Sequence, residues 1–456
     1  MQHQKPGRII EITLNDAGRQ FGCYGAAGNF TPNIDQMAAV GVRFAEHFSV
    51  ASVCMPSRLG ILTGKYVHHT HLYFCDPNEN TIPKLLGKAG YRTILCGEKE
   101  HSSYKRDPRF GYKGDDIGRD IVGFSEHWTD SGSGAWIADK ICAFLQSPEA
   151  DEPFFICANL QEAHAEYWRE VTDRDIDNVI FPAKMPDFPD TYPSRRQFAR
   201  FCKHLAEGDR AVGQILDAVR RSGKKDDTLV IFTVDHGIDF PRGKQTLYDS
   251  GVNTPLILWG PPWLSPGVVT GLSSHCDILP TLCEITGITP PDDLDGVSQI
   301  SAIETGEDAR SFVFLEKGWD NPNEPVRGIR TKQFKYIKNY RPGWPIPAVK
   351  SYIEEVGAEE YMQRFADRIR PEEELYDLVN DPAEQNNLAE RPEYAEIKNS
   401  LNKQMTDIMV KNKDELLDEK SIYTKNAGNP AVRYWVKNDD TGKWELDLAQ
   451  PFAVLL

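Results

Sequence analysis

The sequence lacks paired cysteine motifs, an excess of basic residues and any long hydrophobic run. Its nine cysteines are scattered singly, and the absence of a Cys-x-x-Cys unit argues against the common structural zinc motifs. Acidic residues outnumber basic ones by 68 to 52, giving a formal net charge of -16. This charge argues against a general nucleic-acid binder, which needs a basic surface. A small anionic substrate remains compatible with it, because such a substrate responds to the local field of its pocket.

No segment is predicted to cross a membrane or to direct export. The first apolar run, residues 9–14, is far too short for a bilayer span or a signal core. We therefore expect a cytoplasmic protein without a membrane partner, although a trimmed leader would allow a periplasmic or secreted location. In a reducing compartment we expect most of the cysteines to be buried, unpaired small residues.

The most distinctive stretch places Cys54, Pro56, Ser57 and Arg58 within five positions, with a Thr-Gly pair at residues 63–64. A Pro-Ser pair suits the first turn of a helix. Cys54 is therefore predicted to lie at a helix N-terminus, where backbone N–H groups and the helix dipole favour an anion. Taken alone, the stretch is more typical of a buried cysteine beside a helix start.

This stretch resembles the signature of the type I sulfatases of the alkaline phosphatase superfamily, Cys-x-Pro-Ser-Arg with Thr-Gly downstream. In that family the cysteine is oxidised after synthesis to formylglycine, an aldehyde whose hydrate is the nucleophile. Further motifs follow in the family's order along nearly the whole chain. The segment at residues 240–257 is similar to the heparan N-sulfatase (sulfamidase) branch.

The resemblance implies a divalent cation bound next to residue 54. Asn15 and Asp16 follow the first apolar run, where the family has two aspartates. The carbonyl oxygen of Asn15 can still bind a hard cation, but the site loses one negative charge; a simple Asn-Asp turn is the alternative for this pair alone. Asp235 and His236 match the family's second ligand pair. The imidazole keeps Mn²⁺ and Zn²⁺ open beside the expected Ca²⁺. The predicted ligands are Asn15, Asp16, Cys54, Asp235 and His236.

Basic side chains from further motifs would bind the sulfate or transfer protons, by the same resemblance. Lys99 and His101 match the family's Lys-x-His unit, although Glu98 is an extra residue before it. His164 matches the histidine of a Pro-His pair. Lys244 matches a basic residue that contacts the substrate anion. The resemblance implies that Lys99, Lys244 and Arg58 clamp the anion, and that His164 with Lys99 or His101 protonates the leaving atom. The predicted catalytic residues are Cys54, Arg58, Lys99, His101, His164 and Lys244.

The order of apolar and amphipathic segments predicts an α/β fold. Continuous apolar runs are typical of buried parallel strands, and each of these runs ends before polar residues, where open α/β sheets bind ligands. We predict a large, mostly parallel sheet sandwiched by helices in a catalytic domain at residues 1–308. Short strand-like segments after about residue 310 predict a smaller α+β domain with an antiparallel sheet at residues 309–456. The runs used are residues 9–14, 153–160 and 228–234 for strands and 198–222 for a helix.

The resemblance implies a sulfatase that hydrolyses a sulfate ester or sulfamate of a glycosaminoglycan-type sugar. Its expected partners are a small sulfated saccharide and a formylglycine-generating enzyme during maturation, with a homo-oligomer possible. Two alternatives remain open. A phosphonate monoester hydrolase or phosphodiesterase of the same superfamily shares the histidine seen at His236 and the formylglycine. A non-catalytic binder of sulfated glycans would fit Asn15 and the displaced Lys99.

Overall fold

The computed structural model describes most of the chain. None of the helices in the described ranges combines the length and the apolar character that crossing a bilayer requires. All nine cysteines lie in these ranges; seven of them are buried, and no disulfide joins any two. The described residues are 5–28, 30–70, 75–76, 78–97, 122–165, 167, 169–182, 185, 187–318, 325–418, 435–438 and 441–446.

An eight-stranded sheet forms the centre of the structure. Its strands are β1 (Arg8–Leu14), β2 (Val42–Phe48), β3 (Arg92–Gly97), β4 (Glu126–Trp128), β5 (Phe154–Asn159), β6 (Thr228–Val234), β7 (Asn253–Trp259) and β8 (Gly267–Ser274). Their order is β4-β3-β5-β1-β6-β7-β2-β8, and all except β7 run in the same direction. Ile10 of β1 lies beside Ile156 of β5 and Val230 of β6. The predicted mostly parallel sheet is confirmed.

Helices cover both faces of this sheet, because both faces are apolar. Successive side chains of a strand point to opposite faces. Ile10 and Ile12 of β1 belong to one hydrophobic core, and Ile9 belongs to a second core. The helices are α1 (Pro32–Ala39), α2 (Cys54–Thr63), α3 (Ile82–Lys88), α4 (Gly134–Leu145), α5 (Asp173–Asp177), α6 (Tyr192–Arg221), α7 (Asp249–Val252), α8 (Ile278–Thr286), α9 (Ile300–Thr305), α10 (Lys350–Val356), α11 (Ala358–Phe365) and α12 (Ala395–Lys411).

The first core packs α4 and α6 against the sheet, and the second packs α2, α3 and α8. Helix α6 begins at Tyr192, six residues before the predicted start at 198, with Pro193 in its first turn. The apolar periodicity misses this first turn because its residues are mostly polar. Short 3-10 helices connect the longer elements at Gly22–Tyr24, Val67–Thr70, Pro148–Asp151, Lys225–Asp227, His275–Asp277, Pro392–Tyr394 and Glu415–Leu417.

A second, four-stranded sheet lies beyond residue 309. Its strands are β9 (Val313–Lys317), β10 (Val326–Arg330), β11 (Phe334–Asn339) and β12 (Glu373–Asp377), all antiparallel in the order β12-β11-β10-β9. Helix α12 packs on one face, and Phe48 and Tyr248 of the first domain pack on the other. The predicted antiparallel sheet is confirmed, whereas the domain boundary at 308/309 stays a prediction. A hairpin of β13 (Trp435–Lys437) and β14 (Trp444–Leu446) follows.

A buried ionic cluster joins the two sheets. Lys335 of β11 is fully buried, and its Nζ lies 2.6 Å from Asp249 Oδ1 and 2.7 Å from Glu384 Oε1. The same nitrogen donates a 3.0 Å hydrogen bond to the Leu247 carbonyl. Because Asp249 begins α7, Lys335 holds the end of the loop between β6 and α7 against the smaller sheet.

Replacing Lys335 with methionine should destabilise the fold by about 3–5 kcal/mol, because two buried carboxylates lose the ammonium group that contacts both of them. Urea unfolding of both proteins at one pH measures this difference. Lys332→Met is the matched control: its side chain is 50% exposed and pairs with Asp308, so its effect should stay below about 1 kcal/mol. Equal effects of the two substitutions would contradict the prediction.

Candidate active site

Four segments meet at the carboxyl edge of the large sheet. β1 ends just before Asn15 and Asp16, and β6 ends just before Asp235 and His236. These strands are neighbours in register, so the two pairs lie side by side. Strand β2 runs in the same direction as β6 and leads into α2, whose first residue is Cys54. The predicted position of Cys54 at a helix N-terminus is observed.

The structure brings Cys54 into contact with the predicted metal ligands. Its Sγ lies 3.2 Å from His236 Nε2 and 3.8 Å from Asp16 Oδ1, and the His236 Nε2 to Asp16 Oδ1 distance is 3.1 Å. Asp16, Cys54, Asp235 and His236 are buried, with one ligand atom from each within 4.8 Å of the others. Two fully buried carboxylates beside an imidazole suit a divalent cation, so these residues fit the metal that the resemblance implies.

The backbone conformation at Asp16 favours particular residue types. Asp16 has φ 48°, in the left-handed region, which aspartate tolerates better than most residues. Its backbone N–H donates a 2.9 Å hydrogen bond to Asp235 Oδ1, and the N–H of His236 donates to the same oxygen at 2.9 Å. The two backbone donors orient the Asp235 carboxylate toward the site.

Arg58 points inward from α2 and is almost fully buried. One terminal nitrogen donates to Asn159 Oδ1 at 2.7 Å, and the other donates to Asn15 Oδ1 and Asp235 Oδ2, both at 3.1 Å. The observed partners of Arg58 are therefore the site's own oxygens, and its predicted contact with the sulfate stays a prediction. Asn159, the last residue of β5, was missed by the sequence analysis; a polar residue ending an apolar strand was the available signal.

Lys244 and His164 surround the second oxygen of Asp16. Lys244 Nζ donates to Asp16 Oδ2 at 2.8 Å, and His164 Nε2 lies 3.8 Å from that oxygen. Burial alone would raise the pKa of the Asp16 carboxyl, but Lys244, His164 and His236 hold it well below its usual value. Burial would likewise lower the pKa of Lys244, yet Asp16 keeps it well above its usual value. The site therefore presents a fixed positive charge next to Cys54.

The structure brings together eight of the ten predicted site residues. Lys99 and His101 lie outside the described residues, and their roles stay predictions. The preceding strand, β3, ends at Gly97 beside Asn159, at the same edge of the sheet. The eight that converge are Asn15, Asp16, Cys54, Arg58, His164, Asp235, His236 and Lys244, the last of which comes from the loop after β6.

Buried polar groups hold the first turn of α2 in place. The Ser57 hydroxyl donates to the Asp235 carbonyl and lies 3.0 Å from His275 Nδ1. Burial, with the charges of His236 and Arg58, lowers the pKa of His275 to about 3, so the ring is neutral. His275 is fully buried, and it helps to fix the serine of the Cys-x-Pro-Ser-Arg signature.

Comparison with known proteins identifies the family. A family model described as Sulfatase matches residues 9–288, which include every predicted site residue. The chain belongs to the sulfatase family. The predicted class, a sulfuric ester hydrolase of the type I sulfatases, is thereby confirmed. As a family, sulfatases generally use a formylglycine and a divalent metal.

Two relatives align with the sulfatase over most of its length. An ulvan-active sulfatase of Formosa agariphila is 28% identical over 453 residues, covering 92% of this chain and 82% of the relative. Human N-sulphoglucosamine sulphohydrolase is 26% identical over 465 residues, covering 88% of this chain and 89% of the relative. The second relative agrees with the predicted similarity to the N-sulfatase branch.

Solved structures share the fold of this sulfatase. One, a complex with its substrate D-glucosamine-2-N, 6-O-disulfate, aligns with a TM-score of 0.68 at 20% identity, covering 90% of this chain and 99% of that chain. The phosphonate monoester hydrolase of Agrobacterium radiobacter aligns with a TM-score of 0.70 at 20% identity, covering 97% and 100%. These similarities confirm the predicted alkaline phosphatase-like architecture.

Gly237 should be intolerant of a side chain. A Cβ there would lie 2.0 Å from the Ser250 carbonyl oxygen and 2.4 Å from Gly251 Cα. Because Asp235 and His236, two predicted metal ligands, directly precede it, Gly237→Ala should displace both side chains and destabilise the fold by about 1–3 kcal/mol. If they bind the cation, the substitution should also weaken binding in a calorimetric titration with Ca²⁺.

Gly87→Ala is the control for this substitution. Gly87 lies in helix α3, and the nearest atom to an added Cβ would be Thr93 Cγ2, 3.9 Å away. Alanine there should stabilise the fold by about 0.5–1 kcal/mol and leave the Ca²⁺ titration as in the wild type. A normal titration for Gly237→Ala would contradict the expected ligand displacement.

Glu11 should make the stability of the sulfatase depend on pH. Glu11 lies on β1 and is only 2% exposed. Burial raises the pKa of its carboxyl from 4.5 to about 7, although the charge of Arg58 and a hydrogen bond from Thr13 oppose the rise. Since the folded state holds the proton more tightly, the stabilisation is complete below pH 4.5 and is lost as the pH rises through 7. Glu11→Gln should remove this loss, which amounts to about 3 kcal/mol by pH 9.

Urea unfolding at a series of pH values from 5 to 9 measures this slope. Glu393→Gln, at an exposed position, should keep the wild-type slope. The same slope in Glu11→Gln and in the wild type would show that another group carries the pH dependence.

Proposed function

We propose that this sulfatase hydrolyses the sulfate ester or sulfamate of a glycosaminoglycan-type saccharide, with a formylglycine made from Cys54. The observation that carries the proposal is the position of Cys54: the first residue of α2, 3.2 Å from His236 Nε2, beside Asp16 and Lys244. The names of the relatives support a saccharide, since one is ulvan-active and another acts on N-sulphoglucosamine. A formylglycine hydrate supplies a hydroxyl nucleophile that a thiol lacks.

The residues around Cys54 fit a divalent cation, which we propose to be Ca²⁺. Asp16, Asp235 and His236 would hold it, with the carbonyl oxygen of Asn15 as a fourth protein ligand. A bound cation supplies positive charge that polarises the sulfate and lowers the pKa of the attacking hydroxyl. The oxygen-rich set favours Ca²⁺, while the imidazole keeps Mn²⁺ and Zn²⁺ as outcomes of metal analysis.

Lys244 and His164 are assigned separate tasks. Lys244 binds a sulfate oxygen, because Asp16 keeps its ammonium group charged. His164 protonates the leaving oxygen or nitrogen. Its Nδ1 faces the Ala165 carbonyl, which only accepts, so the acidic proton sits on Nε2, the nitrogen facing Asp16. Burial lowers the pKa of His164, but Asp16 raises it above its usual value overall, which favours the protonated acid.

Co-expression with a formylglycine-generating enzyme tests the proposal. Intact-mass measurement should show a loss of about 18 Da at residue 54, the change from thiol to aldehyde. The modified protein should release sulfate from N-sulfoglucosamine or from glucosamine 6-sulfate, and Cys54→Ala should lower kcat at least about a thousandfold. Equal turnover by the unmodified thiol form would contradict a formylglycine nucleophile.

A phosphonate or phosphate ester is the second candidate substrate. The shared fold with the Agrobacterium radiobacter phosphonate monoester hydrolase and the presence of His236 favour it. Comparing kcat/KM for an aryl sulfate and a phenyl phosphonate on one modified preparation separates the two. A protein that binds sulfated saccharides but turns over neither ester would instead support the non-catalytic binder.

A further inference from the structure

Asp239 is an acidic residue beside the proposed sulfate-binding lysine. The carbonyl oxygen of Ile238 accepts hydrogen bonds from the N–H of Phe240 at 2.9 Å and from that of Lys244 at 2.8 Å. The chain therefore doubles back after β6, and Asp239 lies in the same tight turn as Lys244. Asp239 is only partly exposed.

The charge of Asp239 reaches several groups of the site. The pKa of Lys244, which burial would lower, is raised by Asp16, Cys54 and Asp239. Burial and then Asp239 raise the pKa of the Tyr167 hydroxyl well above its usual value, so this group keeps its proton. The Tyr167 ring stacks on Phe240, with centroids 5.7 Å apart. The turn that contains Asp239 and Lys244 thus packs against an aromatic ring.

Asp239 differs from the other acids of the site in its contacts. Asp235 accepts hydrogen bonds from two backbone N–H groups and from Arg58, and Asp16 accepts one from Lys244. Among the residues that the structure describes, none donates a hydrogen bond to the Asp239 carboxylate. A partly exposed carboxylate without protein donors takes its hydrogen bonds from water or from a ligand that replaces the water.

A sulfate group cannot supply these donors, since its oxygens only accept hydrogen bonds and carry negative charge. A sugar hydroxyl or ammonium group next to the sulfated atom can supply them. We propose that Asp239 is a specificity-determining residue that binds such a hydroxyl or ammonium group, so that the site selects sulfated amino sugars and other polyols over plain sulfate esters. This proposal rests on the proposed function, because it assumes that the sulfate binds at Lys244.

Binding to the full-length Cys54→Ala protein tests the proposal without turnover. Calorimetry would measure the Kd of N-sulfoglucosamine, glucosamine 6-sulfate and inorganic sulfate for this protein and for the same protein carrying Asp239→Asn. The Kd of the better-binding sugar should rise about 10- to 100-fold, as for loss of a hydrogen bond to a charged group. The Kd of inorganic sulfate should fall, because a negative charge beside Lys244 is removed.

This opposite change is one that a purely structural role would not produce. If both ligands weaken together, or neither changes, Asp239 does not select the sugar and the proposal is overturned. It is also overturned if neither sugar binds more tightly than inorganic sulfate before the substitution. Asp226→Asn, an exposed aspartate paired with Lys225, should leave all affinities unchanged, and Asp239→Glu should restore part of the sugar affinity.

The test separates this proposal from the proposed function. If the opposite changes in affinity are seen but the formylglycine form releases no sulfate from either sugar, hydrolysis is wrong and the role of Asp239 stands. If the sugars are hydrolysed and Asp239→Asn leaves their affinities unchanged, hydrolysis stands and the role of Asp239 is wrong.

Discussion

The structure depends on placing two buried carboxylates, Asp16 and Asp235, side by side at the ends of adjacent parallel strands. Both are fully buried, and the Asp16 N–H donates to Asp235. Burying two like charges is unfavourable unless opposite charge lies in contact. Arg58 balances Asp235 from one side, and Lys244 balances Asp16 from the other. Helix α2 and the loop after β6 are therefore held where these cations must be, and Cys54 is positioned as a consequence.

The smaller sheet contributes to this arrangement without reaching the carboxylates. Lys335 bonds the Leu247 carbonyl and Asp249, at the end of the loop that carries Lys244. Arg242, two residues before Lys244, donates to the Glu384 carbonyl and lies over the Tyr248 ring. The second half of this loop is thus attached to residues beyond 309 at its start, through Arg242, and at its end, through Asp249. This attachment gives the C-terminal segment a direct part in keeping Lys244 against Asp16.

The sequence predicts the site residues whose positions depend only on where a single strand ends or a single helix begins. Asp16, Asp235 and His236 each follow an apolar strand, and Cys54 precedes a Pro-Ser helix start, so their convergence follows from parallel strand order. The direction of Arg58 could not be predicted, because its partners Asn15, Asn159 and Asp235 come from three strands.

The early start of α6 at Tyr192 and the position of Asp239 were missed for a related reason. Neither segment has an apolar periodicity. The first turn of α6 depends on a distant contact, because Ser194 forms a hydrogen bond with the hydroxyl of Tyr352. Asp239 lies in a turn that the Ile238 carbonyl and the Lys244 N–H close, and Phe240 of that turn stacks on Tyr167. Local sequence carries little information about such contacts, since tertiary packing decides them.

Asn15 in place of the family's aspartate follows from the same charge balance. Its carbonyl oxygen accepts from Arg58, and its amide nitrogen donates to the Leu160 carbonyl at 3.2 Å. An aspartate could keep the first bond but not the second, because a carboxylate would face the Leu160 oxygen without a proton between them. With Arg58 and Lys244 paired to Asp235 and Asp16, the amide adds no third negative charge to the buried site. The proposed cation would then face two carboxylates rather than three, which would leave more of its charge to act on a bound sulfate.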